Sequence, residues 1–294
     1  MYRTIMVGLD GSASDEQAVS CALALKRSGE TRLLLARAVP TPADAAGAAV
    51  SLGDLRRRLG DPPEVAAEIL VGRMSEVIAA AAGRRQVDLL VLADGAPDVV
   101  GEVARSAGVP VLLVPEACAR PWPAARPPRV LVPLDGSRLA REVLPSALAL
   151  ATVLEAELLL LHVIIPPGYA SADLTAYVPY NPSADRESAR AWLEEAAAAV
   201  RRLGGKARTR TSVGLPTPTI VEEVDRCGAD VVALSTHGHG GALDRLMGSV
   251  AVGVLQRCHV PVLVVRPDRA VRGRAPGAVG RSSSGAADLD RAVG

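Results

Sequence analysis

The sequence predicts an α/β protein built from two tandem doubly wound domains, each a five-stranded parallel sheet flanked by helices. Three observations predict it. An internal repeat comes first: Ile5-Met6-Val7-Gly8-Leu9-Asp10-Gly11-Ser12 returns as Val130-Leu131-Val132-Pro133-Leu134-Asp135-Gly136-Ser137, and self-similarity at long range marks a duplicated unit. Second, short continuous apolar runs alternate with helix-period stretches, the pattern of βαβ units whose sheet is covered on both faces. Third, 294 residues exceed one average domain, which favours two.

Each copy runs through the same elements. After the opening strand a helical period follows: Ala18, Val19, Ala22 and Leu25 in the first copy, Leu144, Ala147, Leu148 and Ala151 in the second. A second strand spans Arg32–Ala38 and Glu157–Ile164. A third ends at Val71-Gly72 and Val213-Gly214, and a helix follows each. A fourth is Val87–Leu92 and Ala229–Leu234, and the closing runs are Val109–Val114 and Val260–Val265. Five prolines between Pro115 and Pro128 forbid a sheet strand or helix interior there and predict a semi-rigid linker. The expected boundaries are 1–115, a linker 116–128, 129–267, and a tail 268–294 that is Arg-, Gly- and Ser-rich and reads as disordered. Pro166–Pro182 is an extra loop of the second copy that carries Tyr169, Tyr177 and Tyr180.

Composition excludes several function classes. Almost half of the residues are apolar and none is Phe, so the core must be aliphatic. Formal net charge is +1, with acids and bases interspersed. A polyanion binder needs a basic stripe with exposed aromatics, so nucleic acid is not an expected partner. Cys21, Cys118, Cys227 and Cys258 are scattered with no CxxC, a usage that predicts reduced thiols. The sequence shows no secretory leader pattern and no apolar run long enough to cross a bilayer. A soluble, cytoplasmic protein is the expectation.

The segment Ser235-Thr236-His237-Gly238 through Gly248-Ser249 carries the chemistry. It follows an apolar strand and ends at a helix start. Glycines let backbone N–H groups approach an anion closely, and a helix N-terminus adds orphan donors and the positive end of its dipole. No Gly-Lys-Ser/Thr is present, so it is not a Walker A loop, and it follows a late strand and so is not a dinucleotide fingerprint. Two histidines, His237 and His239, without a third ligand at suitable spacing do not make a metal site. Arg245 either folds over a phosphate chain or is a solvated surface arginine. His162 and His259 read as packing or capping residues.

At these residues the chain resembles a tandem member of the universal stress protein family, over nearly everything from Tyr2 to about Pro267 outside the linker. Nucleotide-binding members of that family carry Gly-x-x-Gly, nine residues, then Gly-Ser or Gly-Thr. Here Ser235 stands at the first glycine, Gly238 at the second, and Gly248-Ser249 closes the frame. His239 stands where Arg or Lys is common. The resemblance implies a Rossmann-like fold similar to the adenine-nucleotide α-hydrolases. It implies that Pro133, Leu134 and Asp135 meet adenine, that Val163 flanks it, and that Leu234 and Ser235 lie by the ribose. His237, Gly238, Gly248, Ser249 and Val250 would hold the phosphates, with Mg2+ arriving on them. The implied ligand is ATP, or AMP or cyclic AMP. The closing strands of such proteins meet across a two-fold axis, which implies an intramolecular pseudo-dimer of the two domains, or a homodimer.

The first copy departs from this frame. Asp88 and Pro110 are 22 positions apart, whereas Asp230 and Pro261 are 31 apart, so nine residues are missing from the loop. If Pro97-Asp98 replaces Gly248-Ser249, a donor is lost to proline and a carboxylate opposes an anion. The first domain is therefore expected to bind no ATP, and its Asp10-Gly11-Ser12 to be only a strand-to-helix turn. No Ser-His-Asp set, paired carboxylates or nucleophilic Cys converges on the second loop, so catalysis is not expected. The leading reading is an ATP-binding stress-response sensor or adaptor. The alternatives are a slow ATP hydrolase and a protein-binding scaffold with a vestigial nucleotide loop.

Overall fold

The computed structural model describes residues 2–26, 31–93, 97–116, 118, 122, 126–166, 182–236 and 247–266. The expectations for His237, Gly238, His239, Arg245, the three loop tyrosines and the tail lie outside these residues. The chain divides into two compact units. One takes its described residues from 2–122 and 259–266, the other from 126–258.

The first unit alternates strand and helix: β1 (Thr4–Leu9), α1 (Asp15–Leu25), β2 (Arg32–Val39), α2 (Ala45–Arg58), β3 (Val65–Val71), α3 (Met74–Arg84), β4 (Leu89–Ala93), α4 (Pro97–Ser106) and β5 (Val111–Val114). The strands lie in the order β3-β2-β1-β4-β5, every pairing among them parallel. This is the doubly wound arrangement, because the chain moves outward from β1 first on one side and then on the other. Ile5, Met6, Val7, Leu89, Leu90 and Val91 are fully buried. Their continuous apolar run, without strand alternation, is the consequence of helices covering both faces. Ala18, Ala22 and Leu25 recur at helical spacing on the buried side of α1.

The second unit repeats the plan with β6 (Arg129–Pro133), α5 (Arg138–Arg141), α6 (Leu144–Leu154), β7 (Glu157–Ile164), α7 (Pro182–Arg202), β8 (Lys206–Val213), α8 (Pro216–Cys227), β9 (Val231–Ser235) and α9 (Ser249–Leu255). Its strand order is β9-β6-β7-β8, again parallel. The fifth strand of the second repeat, β10 (Val262–Val265), pairs antiparallel with β5, with Leu263 opposite Leu112. The segment that carries it clusters with the first unit. Arg266, just after β10, donates from Nη1 to the Arg105 carbonyl at 2.5 Å, which satisfies an orphan acceptor at the end of α4.

Matching carboxylates pin the first strand of each unit. Asp88 accepts from the Arg3 and Thr4 amides at 2.7 and 2.9 Å, and Asp230 accepts from the Arg129 amide at 2.8 Å. Asp230 also receives a two-pronged pair from Arg126 at 2.8 and 3.0 Å, a geometry that gives direction as well as charge attraction. Among the described residues of 116–128 there is no helix or strand. Cys21, Cys118, Cys227 and Cys258 form no disulfide. No helix of the described residues is long and apolar enough to cross a membrane.

Candidate functional site

The strand order of the second unit reverses beside β6, which has β7 on one side and β9 on the other. Open α/β sheets leave a crevice at such a reversal, beyond the carboxyl ends of the strands. Pro133 ends β6 opposite Leu161, and Val163 lies two residues further along β7. On the other flank Val130 and Leu131 pair with Val231 and Val232. That register, continued, brings Pro133 and Leu134 level with Leu234 and Ser235. The backbone therefore gathers five predicted positions, from Pro133 to Ser235, at one edge. Leu134 and Leu234 are buried and support it from below, whereas Asp135 is exposed.

The loop after β9 returns to this edge. The Gly248 amide donates to the Thr236 carbonyl at 2.8 Å, so the two ends of the thirteen-residue connection are clamped together and α9 starts beside β9. A Cβ on Gly248 would lie 3.3 Å from that carbonyl oxygen. This narrows the sequence expectation, because the Gly248 N–H is taken up by the protein and does not face a ligand. The donors left by the helix geometry are the amides of Ser249, Val250 and Ala251, which have no acceptor within the helix, together with the Ser249 hydroxyl. Val250 is 37% exposed at this helix start.

Asp135 and Asp10 both build their turns. Each Oδ1 accepts from the amide two residues on, Ser137 at 2.9 Å and Ser12 at 2.8 Å, and the following glycines have φ of +87° and +84°, a left-handed conformation that favours Gly. Ser137 Oγ accepts from the Ala140 amide at 3.0 Å and caps α5. Beyond the turns the two units diverge.

In the first unit the turn is closed by charge. Asp15 is buried and accepts from the Asp10 and Gly11 amides at 3.2 and 2.7 Å. Arg37 Nη1 lies 3.5 Å from the same carboxylate, and its guanidinium sits where a Cβ on Gly11 would be. In the second unit Ala140 and His162 occupy the equivalent positions. Asp15 is five residues after Asp10, and Ala140 five after Asp135. Arg37 is paired with Leu9, and His162 follows the partner of Pro133. His162 Nδ1 is 2.8 Å from the Leu134 carbonyl. Trp192 meets the His162 ring edge-on, with centroids 5.1 Å apart.

The loops diverge as well. Three residues separate β4 from α4, against thirteen between β9 and α9. Pro97 is the first residue of α4 as Ser249 is of α9, one position from the sequence alignment. Proline still removes the first donor of the helix.

Burial pushes the Asp15 carboxyl up to about 6 from 3.8; the hydrogen bond from the Asp10 amide opposes this, the Asp10 charge adds to it and Arg37 opposes it. The folded protein thus holds this proton more tightly than the unfolded chain does. Its contribution to stability is full below pH about 4 and is lost as pH rises through about 6. Asp15→Asn is accordingly expected to gain on the parent between those values, by at most about 3 kcal/mol. Urea unfolding at stepped pH measures the difference, and a flat difference would contradict the assignment.

Sequence reasoning missed Asp15, Arg37 and Trp192. The first two were within reach, because aligning the repeats at Asp-Gly-Ser sets Asp15 against Ala140. Trp192 had no such signal, since its helix carries no shared motif. Among the described residues no group of His, Cys, Asp and Glu could hold a metal ion.

Comparison with known proteins places these features in context. The family model described as Universal stress protein family matches residues 1–115 and 128–266. Universal stress protein MJ0531 of Methanocaldococcus jannaschii is 27% identical over 138 residues, 47% of this chain and 81% of that protein. Universal stress protein MJ0577 of the same organism is 28% identical over 152 residues, covering 47% of this chain and 94% of that protein. The crystal structure of a universal stress protein from Archaeoglobus fulgidus DSM 4304 has a TM-score of 0.64 at 17% identity, covering 90% of this chain and 96% of that one. It shares the fold across both repeats.

Proposed function

The chain belongs to the universal stress protein family, and from that premise we propose that it is an adenine-nucleotide-binding stress-response sensor or adaptor that holds ATP in its second unit. The observation that carries this reading is the asymmetry between the two repeats. At one crevice the turn is filled by an internal Asp–Arg pair and the loop is cut to three residues. At the other the turn has no such pair, His162 and Trp192 meet beside it, and a thirteen-residue loop is clamped back to a helix start.

In this reading Asp135 offers a carboxylate to the adenine amino group, and Pro133, Leu134 and Val163 shape the base pocket. Leu234 and Ser235 border the ribose. Ser249 and Val250 present their amides to the phosphates at the positive end of the α9 dipole, with His237 and Gly238 closing the loop. Gly248 acts by clamping the loop to Thr236 through its amide, not by donating to the ligand. Magnesium, where present, is held chiefly by phosphate oxygens and water.

The test is direct. Purified protein, assayed by calorimetry with ATP, is expected to bind one nucleotide per chain, and mass spectrometry of denatured samples to identify any adenine nucleotide retained from the host. A stoichiometry of two would overturn the silent first unit. No uptake of ATP, AMP or cyclic AMP would overturn the reading as a whole.

A further inference from the structure

We infer that Trp192 is the specificity-determining wall of the second-unit crevice, the surface on which a purine ring stacks. The inference rests on the nucleotide reading above and deepens it by naming the residue that selects the base.

Four observations converge on this indole. Trp192 projects from α7 over the β6–α5 turn, where its Cζ2 lies 3.8 Å from the position of a Cβ on Gly136, an ordinary van der Waals distance that sets the indole against the turn. Its ring meets His162 at 78°, the preferred edge-to-face arrangement of two π systems. The Arg141 guanidinium carbon stands over the ring at 5.7 Å, within range of a cation–π contact that fixes the indole's orientation. Finally, the indole is half-buried, which leaves part of its surface open beside the turn.

The first unit shows that the arrangement is particular to this crevice. Buried Ala48 and Leu52 in α2 are spaced as Ala189 and Leu193 are in α7. The residue before each leucine is then equivalent: exposed Ser51 in one unit, Trp192 in the other. Together with Arg37 against His162 and Asp15 against Ala140, three equivalent positions differ between the units. A carboxylate, a guanidinium and a hydroxyl in one unit correspond to a methyl, an imidazole and an indole in the other. Such a wall is what a flat heterocycle requires, since stacking on an aromatic ring binds bases through their π faces.

Asp135 stands next to Gly136 in the same turn and supplies the edge contact. A base held between them would be sorted by ring size as well as by hydrogen bonding, with the two fused rings of a purine covering more of the indole than a pyrimidine can.

The experiment compares ATP, CTP and inorganic tripolyphosphate on the parent and on Trp192→Leu and Trp192→Phe, with circular dichroism melting as the check on folding. The parent is expected to prefer ATP over CTP, and ATP to change indole emission, Trp122 being the only other tryptophan. Trp192→Leu should lose about tenfold in ATP affinity, as the removal of one stacked base predicts, while its weak affinity for tripolyphosphate is unchanged. Trp192→Phe should recover most of the loss. If ATP binds the parent and Trp192→Leu alike, the wall is overturned while nucleotide binding stands. Equal loss for ATP and tripolyphosphate would also overturn it, by showing a general distortion of the crevice. If the parent binds no nucleotide, both readings fall together.

Discussion

Gly248→Asp is expected to weaken ATP binding by about two orders of magnitude while leaving the second unit as stable as before. The two effects separate because position 248 has two jobs. As N-cap of α9 it has φ −56° and ψ 148°, a conformation any residue can adopt. Asp is a better N-cap than Gly by a few tenths of a kcal/mol, so the helix loses nothing. A new Cβ must settle 3.3 Å from the Thr236 oxygen, which asks that neighbour to give by a few tenths of an ångström. The carboxylate, however, would reach the amides of Val250 and Ala251, at the helix start where the proposed phosphates lie. Like charges forced together in a binding site cost several kcal/mol, and about 3 kcal/mol corresponds to a hundredfold in affinity. Gly248→Ala supplies the control, since it adds the same Cβ without the charge. It should bind ATP within a few-fold of the parent. Calorimetric titration of both variants decides the matter: equal loss in the two would assign the effect to space, and full affinity in the Asp variant would remove the phosphates from this helix start.

The first unit already illustrates that substitution in another form. Asp15 places a carboxylate on the Asp10 and Gly11 amides, so an internal anion fills the β1–α1 turn, and Arg37 balances it. The strands, their parallel order and the doubled plan were legible in the sequence because sheets buried on both faces leave continuous apolar runs such as Val130–Val132 and Val231–Leu234. The short loop before α4 was legible as a length difference of nine. What the sequence could not show depends on three-dimensional neighbours. The Gly248 amide looks like a free donor until the backbone brings Thr236 within 2.8 Å. Trp192 looks like a helix residue among alanines until α7 sets it over Gly136. The antiparallel partner of β10 follows from no local pattern, because Val262–Val265 reads as an ordinary apolar strand whichever neighbour it takes.

Removing both arginines that surround Glu223 is expected to destabilise the second unit by about 3–5 kcal/mol, the usual cost of stranding a buried charge. Glu223 lies on the inner side of α8 between Ile220 and Val224 and is wholly buried. Ser212 donates to its Oε1 at 2.7 Å, Arg226 Nη1 to the same oxygen at 2.5 Å, and Arg210 Nε stands 2.5 Å from Oε2. Burial opposes ionisation, but the hydrogen bonds from Ser212 and Arg226 and the two positive charges outweigh it and hold the carboxyl below its usual 4.5. In the parent this group therefore stabilises the fold above pH about 4.5 and loses that contribution as pH falls through the lower folded value. In Arg210→Met with Arg226→Met the stems still pack, yet burial of the carboxylate is left opposed by Ser212 alone, and the carboxyl moves above its unfolded value. The deficit should be largest at neutral pH and shrink as pH falls through the variant's raised folded value and on below about 4.5. Glu223→Gln provides the contrast: both arginines are more than a third exposed and can turn to water, so it should cost only about 1–2 kcal/mol. Urea unfolding of the three proteins between pH 4 and 7 tests the account. A deficit in the double arginine variant that does not change with pH would mean that Glu223 is not the charge at stake.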